Sequence, residues 1–166
     1  MRQLVLNKSN KVTEILEDYK VLETKRVTKI VKGGKNLSFR VVVIVGDKEN
    51  NVGLGVGKAT ILKDAIEKAI VNAHKSLINI PLTTSDSIPY MIQSKYKTAK
   101  INLYPAKEGT GIITSKAIRI LLEFGGIKNI FGKQLGCKNI LNNMKAVIIG
   151  LAELNRVISI SNIRTK

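Results

Sequence analysis

Apolar residues recur at two different spacings in the first half of the chain. Residues 38–45 are dense in β-branched side chains, and the polar stretch DKENN separates them from a second extended run that begins at Val52, which predicts a β-hairpin. From Leu62 onward the apolar positions follow helical spacing: Leu62, Ala65, Ile66, Ala69, Ile70 and Ala73. We therefore expect a sheet with an amphipathic helix packed against it.

The second half combines the same two spacings. Strands are predicted near residues 90–93, 100–104 and 129–134. A helix is predicted over residues 115–124, with Thr114 or Ser115 as its N-cap and the pair Gly125-Gly126 as its end. Asn139 is the expected N-cap of a longer helix with an apolar stripe: Ile140, Leu141, Met144, Val147, Ile148, Leu151 and Leu154. Both halves are therefore predicted to be α+β.

The segment PLTTSDSIP, residues 81–89, separates the two halves. It contains two prolines and four Ser or Thr residues but no basic residue, which is typical of a link between domains. The expected division is an N-terminal extension (1–20), a first domain (21–80), the link (81–89), a second domain (90–158) and a C-terminal tail (159–166).

The charge balance indicates a polyanionic partner. The chain has 166 residues with 28 Lys plus Arg against 12 Asp plus Glu, a net charge of +16 and a pI of about 10.1. The longest apolar run without glycine has five residues, far below the roughly 20 of a membrane helix, so no membrane partner is expected. Residues 1–19 resemble neither a signal peptide nor a transit peptide, which favours function in the compartment of synthesis.

The cysteine and histidine counts exclude most routine hydrolase chemistry. Cys137 is the only cysteine and His74 the only histidine, so an intrachain disulfide and a Cys/His zinc cluster are impossible. Neither residue has the partners that a nucleophilic site requires, and both are interpreted as ordinary structural positions. We expect no enzymatic activity, no metal and no cofactor.

The glycine-rich stretch GLGVGKA, residues 53–59, resembles a nucleotide-binding loop only superficially. A phosphate-binding loop needs glycine where Val52 lies and Ser or Thr where Ala59 lies. Alternating glycines in an extended run instead let another backbone approach closely. We favour this structural interpretation, with Lys58 left free to meet an RNA phosphate.

Two further glycine motifs carry candidate chemistry. Lysines surround Gly33-Gly34, as in a hairpin tip that slides between phosphate backbones; the alternative is a solvated basic turn. EGTG, residues 108–111, precedes a predicted helix, so it is either an anion site at the helix N-terminus or an ordinary loop. There is no G-x-x-G clamp, and an aromatic content of 4% gives poor support for serial base stacking, so the lysine-rich loops favour a reader of RNA backbone and shape.

These motifs together resemble a known family. KRVTKIVKGGKNLSFRVVVIVGD and VGLGVGKA, followed by EGTGII and IRILLEFGGIKNIFGKQLG, are similar in order and spacing to bacterial-type small-subunit ribosomal protein five, over roughly residues 21–154. The resemblance implies an α+β fold: a double-stranded-RNA-binding-like N-terminal domain and a C-terminal βαβ-type domain with a left-handed crossover.

The resemblance also implies a function and its residues. Family members bind small-subunit rRNA, contact ribosomal proteins four and eight, help form the channel where mRNA enters and influence decoding accuracy. The expected protein contact comprises Glu108, Gly109, Thr110, Gly111 and Arg119. The basic charge and the resemblance assign these residues to rRNA: Lys25, Arg26, Lys29, Lys32, Gly33, Gly34, Lys35, Arg40 and Lys58.

The composition suggests an origin. The chain uses 22 Lys against 6 Arg, with 23 Ile and 14 Asn, a bias typical of an AT-rich genome. We therefore expect the protein to be located in the plastid stroma, with the bacterial cytoplasm as the alternative.

Three rival functions are considered: a free-standing double-stranded-RNA-binding protein, a small nucleotide-dependent enzyme and a DNA-compacting protein.

Overall fold

The computed structural model describes residues 19–164, with the side chains of residues 19–157. The predicted extension and the targeting interpretation lie outside this range up to residue 18, as do the side chains of the expected tail. Eight strands and three helices are described: β1 (Tyr19–Val31), β2 (Gly34–Gly46), β3 (Asn51–Ala59), α1 (Leu62–Lys75), β4 (Ile78–Asn79), β5 (Ile92–Tyr96), β6 (Ala99–Pro105), β7 (Ile112–Ile113), α2 (Lys116–Phe124), β8 (Ile130–Leu135) and α3 (Ile140–Arg164).

The first sheet has the strand order β1-β2-β3-β4 and is antiparallel throughout. The predicted hairpin is confirmed as β2 and β3, in register from Phe39↔Ala59 to Gly46↔Val52. The sequence analysis did not identify β1 as a strand, because its side chains are mostly polar and only partly buried. Backbone pairing with β2 along its length, rather than its own apolar pattern, holds it extended.

Helix α1 packs directly on the three alternating glycines of β3. A Cβ atom on Gly53, Gly55 or Gly57 would overlap the carbonyl oxygen of Ala73, Ala69 or Ala65, respectively. These alanines recur every four residues, so one face of the helix lies against alternate residues of one strand. The structural interpretation of GLGVGKA is confirmed: the glycines permit close helix–strand packing, and the stretch is not a phosphate-binding loop.

Asp47 organises the turn between β2 and β3. Its Oδ1 accepts hydrogen bonds from the backbone N–H groups of Glu49 (2.9 Å), Asn50 (3.1 Å) and Asn51 (2.9 Å), and its Oδ2 accepts one from Asn51 Nδ2 (2.5 Å). Burial raises the pKa of this carboxyl, but the hydrogen bonds from Asn51, Glu49 and Asn50 outweigh burial and lower the pKa to about 2. The group is therefore ionised at neutral pH and fixes the turn.

The second sheet has the order β5-β6-β8-β7 and packs one face against α2 and α3. Strand β7 runs parallel to β8, with α2 as the connection, whereas the other pairs are antiparallel. The predicted strands and helices of this half are confirmed within a few residues. Strand β7, like β4 of the first sheet, was missed because it has only two residues. The left-handed sense of the crossover stays a prediction.

The helix starts agree with the expected caps in position but not always in chemistry. Asn139 Oδ1 accepts from the N–H groups of Leu141 (3.1 Å) and Asn142 (3.4 Å), which confirms it as the N-cap of α3. Ser115 occupies the N-cap position of α2 but makes no side-chain capping bond. None of the helices within the described residues is long and apolar enough to span a membrane.

The two halves share a hydrophobic core. Ile44 and Val52 of the first sheet belong to the same buried cluster as Leu103 and Leu121 of the second half. Residues 81–89 run beside this cluster, and Ile88 in that segment is 1% exposed. The α+β class is confirmed, with two domains packed together; the domain boundaries remain predictions.

Candidate nucleic-acid interface

A two-stranded arm projects from the first sheet. Strand β3 ends where Ala59 pairs with Phe39, but β1 and β2 continue to pair through residues 27–38, which places the tip about 15 Å beyond the end of β3. Lys32 and Gly33 form the turn, and Gly33 has a φ of +96°, a conformation that glycine adopts without strain. The hairpin tip predicted from the glycine pair is therefore present.

The register sorts the predicted basic residues onto two faces. Lys25 pairs with Arg40, and Arg40 pairs with Lys58, so three cations form one row across β1, β2 and β3; we call this the basic row. Lys29 continues the same face along the arm, because it lies four residues from Lys25 on the same strand.

The remaining two strand cations lie on the opposite face. Arg26 pairs with Phe39, whose side chain packs against the α1 side of the sheet, and Lys35 pairs with Ile30. With Lys32 at the turn, the arm therefore presents positive charge on both faces and at its tip. The sequence analysis assigned these residues to one set, and strand register places them on two faces and at the tip of the arm.

These cations are available to a partner. In the described part of the chain, Lys25 is the one member of the predicted rRNA set with a salt bridge, from its Nζ to Glu23 Oε1 at 3.0 Å. The side chains of Lys29, Lys32, Lys35, Arg40 and Lys58 are exposed. A surface with this excess of unneutralised charge attracts polyanions.

The arm also exposes apolar side chains that the sequence analysis did not single out. Ile30 is 77% exposed, and Leu37 is exposed on the same face. A two-stranded ribbon is only marginally stable by itself. Exposed apolar side chains at its tip contribute no free energy of burial while they remain in water. We therefore expect the arm to be stabilised when a partner covers these side chains.

The EGTG loop forms a second cluster, held by a residue that the sequence analysis missed. Asn129 is 7% exposed; its Oδ1 accepts from Gly111 N–H at 3.1 Å, and its Nδ2 donates to Ser85 O at 2.9 Å. Gly109 and Gly111 have φ values of +80° and +74°, so glycine suits both positions. Asn129 therefore ties the loop to the segment between the domains.

Arg119 lies beside this loop, whereas the anion-site interpretation fails. Its Nη2 donates to Ile112 O at 2.8 Å, which brings it next to Gly111. The N–H groups of Thr110 and Gly111 are already bonded within the chain, to Lys107 O and Asn129 Oδ1. Strand β7 also separates the loop from the start of α2, so the loop amides are not presented to an anion at a helix N-terminus.

The single histidine and cysteine take structural positions. His74 is partly buried on α1, and burial lowers the pKa of its imidazole. Cys137 is partly buried, and its carbonyl oxygen accepts hydrogen bonds from Gln134 Nε2 and Asn143 Nδ2. No group of acidic, histidine or cysteine side chains able to hold a metal ion occurs within residues 19–157.

Family models match both halves of the chain. The model described as "Ribosomal protein S5, N-terminal domain" matches residues 18–81, and that described as "Ribosomal protein S5, C-terminal domain" matches residues 94–164. The first match contains the arm and the basic row, and the second contains the EGTG loop with Asn129 and Arg119. The basic arm and the EGTG loop therefore lie in two different domains, and both domains are characteristic of one family.

Similar proteins come from plastids and from a cyanobacterium. The small ribosomal subunit protein uS5c of Guillardia theta is 45% identical over 95% of this chain and 94% of its own length. That of Emiliania huxleyi is 48% identical over 84% and 88%, respectively. Protein uS5 of Acaryochloris marina is 43% identical over 89% and 84%.

The chain is similar to these relatives along nearly its whole length, and both domains are matched in order. The similarity is therefore not confined to single motifs. The basic arm agrees with a protein that binds a polyanion. The chain belongs to the S5 (uS5) family of small ribosomal subunit proteins, which are structural proteins and not enzymes.

Proposed function

We propose that the chain is a structural component of a plastid small ribosomal subunit and that it binds rRNA through the arm and the basic row. The observation that carries this proposal is the projecting arm with cations on both faces and at its tip. A two-stranded arm with cations on both faces contacts RNA on two sides at once, whereas a flat basic surface contacts RNA on one side. The glycines at the turn let the tip approach a phosphate backbone without side-chain bulk.

The expected chemistry is electrostatic. Lys25, Arg40 and Lys58 neutralise phosphates at the base of the arm, and Lys29, Lys32 and Lys35 do so along it. Arg26 contributes from the opposite face. Ile30 and Leu37 add apolar contact once water is displaced.

This proposal is tested by competition between nucleic acids. The full chain should bind a hairpin RNA duplex of about 16 base pairs at least about tenfold more tightly than DNA of the same sequence, because A-form geometry and 2′-hydroxyls identify RNA. Filter binding with labelled RNA and unlabelled competitors measures the ratio. Equal competition by DNA would contradict rRNA as the partner and favour a DNA-compacting protein.

The second cluster supports contacts with other ribosomal proteins. Its resemblance to the family motif assigns Glu108, Gly109, Thr110, Gly111 and Arg119 to a contact with ribosomal protein four, and ribosomal protein eight is a further expected partner. Asn129 keeps the loop in one shape, which suits recognition by a rigid partner. Through this contact the chain would help form the channel where mRNA enters and influence accuracy.

Arg119→Ala is expected to raise misreading. If the contact stabilises the open state of the subunit, weakening it favours the closed state and with it the acceptance of near-cognate tRNA. We expect a change of about fivefold or more in a reporter of misreading, corresponding to about 1 kcal/mol of coupling.

Lys116→Ala is the matched control for Arg119, because it removes an exposed cation from the same helix without touching the loop. It should leave misreading at the wild-type level. Wild-type accuracy in the Arg119 variant, with normal assembly of the subunit, would remove Arg119 from the accuracy mechanism.

Plastid localisation is supported by the uS5c relatives and by the lysine-rich, isoleucine-rich composition. The cyanobacterial relative leaves the bacterial cytoplasm as the alternative. A free-standing double-stranded-RNA-binding protein is disfavoured, because the first domain shares its core with the second.

A further inference from the structure

The second sheet leaves one face open within the described residues. Its other face carries Ile101 and Leu103, both 0% exposed, beneath α2 and α3. Strand register places nine outward-facing residues in three rows across the sheet: Ile113, Phe131 and Tyr104; then Lys133, Asn102 and Gln93; then Leu135, Lys100 and Lys95. We call this surface the open face.

The first row is apolar and exposed. Ile113, Phe131 and Tyr104 are 50%, 41% and 36% exposed, respectively, although Phe131 pairs directly with each of the other two. With Lys133 they line a depression of about 480 Å³. Three neighbouring apolar side chains left in water on a folded domain are typical of a binding site.

The other two rows provide positive charge and no carboxylate. Lys133 lies two residues beyond Phe131 on β8, so the two side chains leave the sheet about 7 Å apart. Lys100 and Lys95 pair with each other in the third row. Like charges placed opposite each other destabilise a sheet, so their juxtaposition favours a polyanion that neutralises both.

We propose that the open face binds an unpaired stretch of RNA, with bases stacked on Phe131 and Tyr104 and phosphates held by Lys133, Lys100 and Lys95. Aromatic side chains on a sheet stack on unpaired bases, and lysines beside them follow the backbone. A duplex does not fit this surface, because its bases are already stacked on one another. This proposal rests on the proposed rRNA function, because the ligand is again RNA. It differs in that the binding surface lies in the second domain and the RNA is unpaired.

Composition alone did not reveal this surface. The aromatic content of 4% gave poor support for base stacking, and in sequence Tyr104 and Phe131 are far apart. The pairing of β6 with β8 makes them direct cross-strand neighbours.

The test uses the full chain and a fluorescent single-stranded oligoribonucleotide of about eight nucleotides, with anisotropy as the readout. The double variant Tyr104→Ala and Phe131→Ala should bind this probe at least about tenfold more weakly than the wild type, as expected for the loss of base stacking. The conservative double variant Tyr104→Phe and Phe131→Tyr keeps both rings and should retain affinity within about threefold. Ile149→Ala, an exposed apolar residue on α3, is the control for loss of surface area.

A hairpin duplex probe separates this proposal from that for the arm. Unchanged single-strand binding in the alanine double variant, or an equal loss of duplex binding, would overturn the open-face proposal and leave the arm untouched. Single-strand binding that depends on Phe131, in a chain that fails to bind the duplex, would instead overturn the arm proposal.

The occupant in the assembled particle is identified by a photocrosslinking amino acid at position 131. Crosslinks to rRNA support the proposal, whereas crosslinks confined to another ribosomal protein would overturn it.

Discussion

Replacing Gly55 by valine is expected to destabilise the chain by about 3 kcal/mol or more and to lower Tm by about 10 °C. The reason is the packing of α1 on β3, where a Cβ on Gly55 would overlap Ala69 O and lie 2.6 Å from Ala73 N. Both atoms belong to the helix backbone, so neither moves aside as a flexible side chain does. The helix must separate from the sheet, which exposes the apolar side chains buried between them, including Val43.

Thermal unfolding followed by circular dichroism measures this effect. Lys58→Ala is the matched control, because Lys58 lies three residues along the same strand with its side chain exposed on the opposite face. It should change stability by no more than about 0.5 kcal/mol. A Tm for Gly55→Val within about 2 °C of the wild type would show that the helix does not rest on the glycines.

Removing the three arm lysines is expected to weaken RNA binding about tenfold to hundredfold at physiological salt. Lys29, Lys32 and Lys35 lie on both faces and at the tip, and each phosphate contact contributes about 0.9 to the slope of log affinity against log salt. The triple alanine variant should therefore have a slope about 2 to 3 smaller in magnitude, and its affinity should differ less from the wild type at high salt. Titrations of a duplex rRNA fragment at several salt concentrations give both quantities.

The control for this variant removes the same charge from the same domain. Lys63, Lys68 and Lys75 are exposed on α1, outside the arm. Their triple alanine variant should keep most of the wild-type slope. Equal flattening by the two triple variants would show that the domain attracts RNA by net charge alone and that the arm has no special role.

Elements with a strong local pattern could be predicted from the sequence. Residues 41–45 are β-branched and buried on both faces of the sheet. The helical period of α3 is sustained over several turns, and its N-cap, Asn139, is a good one. The alternating glycines of β3 were also interpreted correctly, because their spacing matches a strand and fails a phosphate-binding loop.

Features that depend on long-range pairing could not be predicted. Strand β1 owes its conformation to β2, and the two-residue strand β7 exists only through its pairing with β8. Asn129 carries no local sign of its role, since its two partners lie 18 and 44 residues away. The anion-site interpretation of EGTG failed for the same reason: Asn129 occupies the Gly111 amide.

Candidate site residues were predicted as a set but not as surfaces. Charge density identified the basic segment, whereas the division between the basic row and the opposite face required the register of Lys25 with Arg40. The open face was missed because its members come from four strands, each contributing between one and three residues. Composition counts residues, but strand pairing decides which of them meet.

The most direct test of the central claim is sedimentation of the tagged chain from its native compartment through sucrose gradients at low and high salt, with immunodetection across the fractions. A structural rRNA-binding protein of the small subunit should sediment with that subunit at both salt concentrations, because assembly buries its charged contacts and reduces their screening. A signal confined to the top of the gradient at both salt concentrations would contradict the account and favour a free-standing RNA-binding protein.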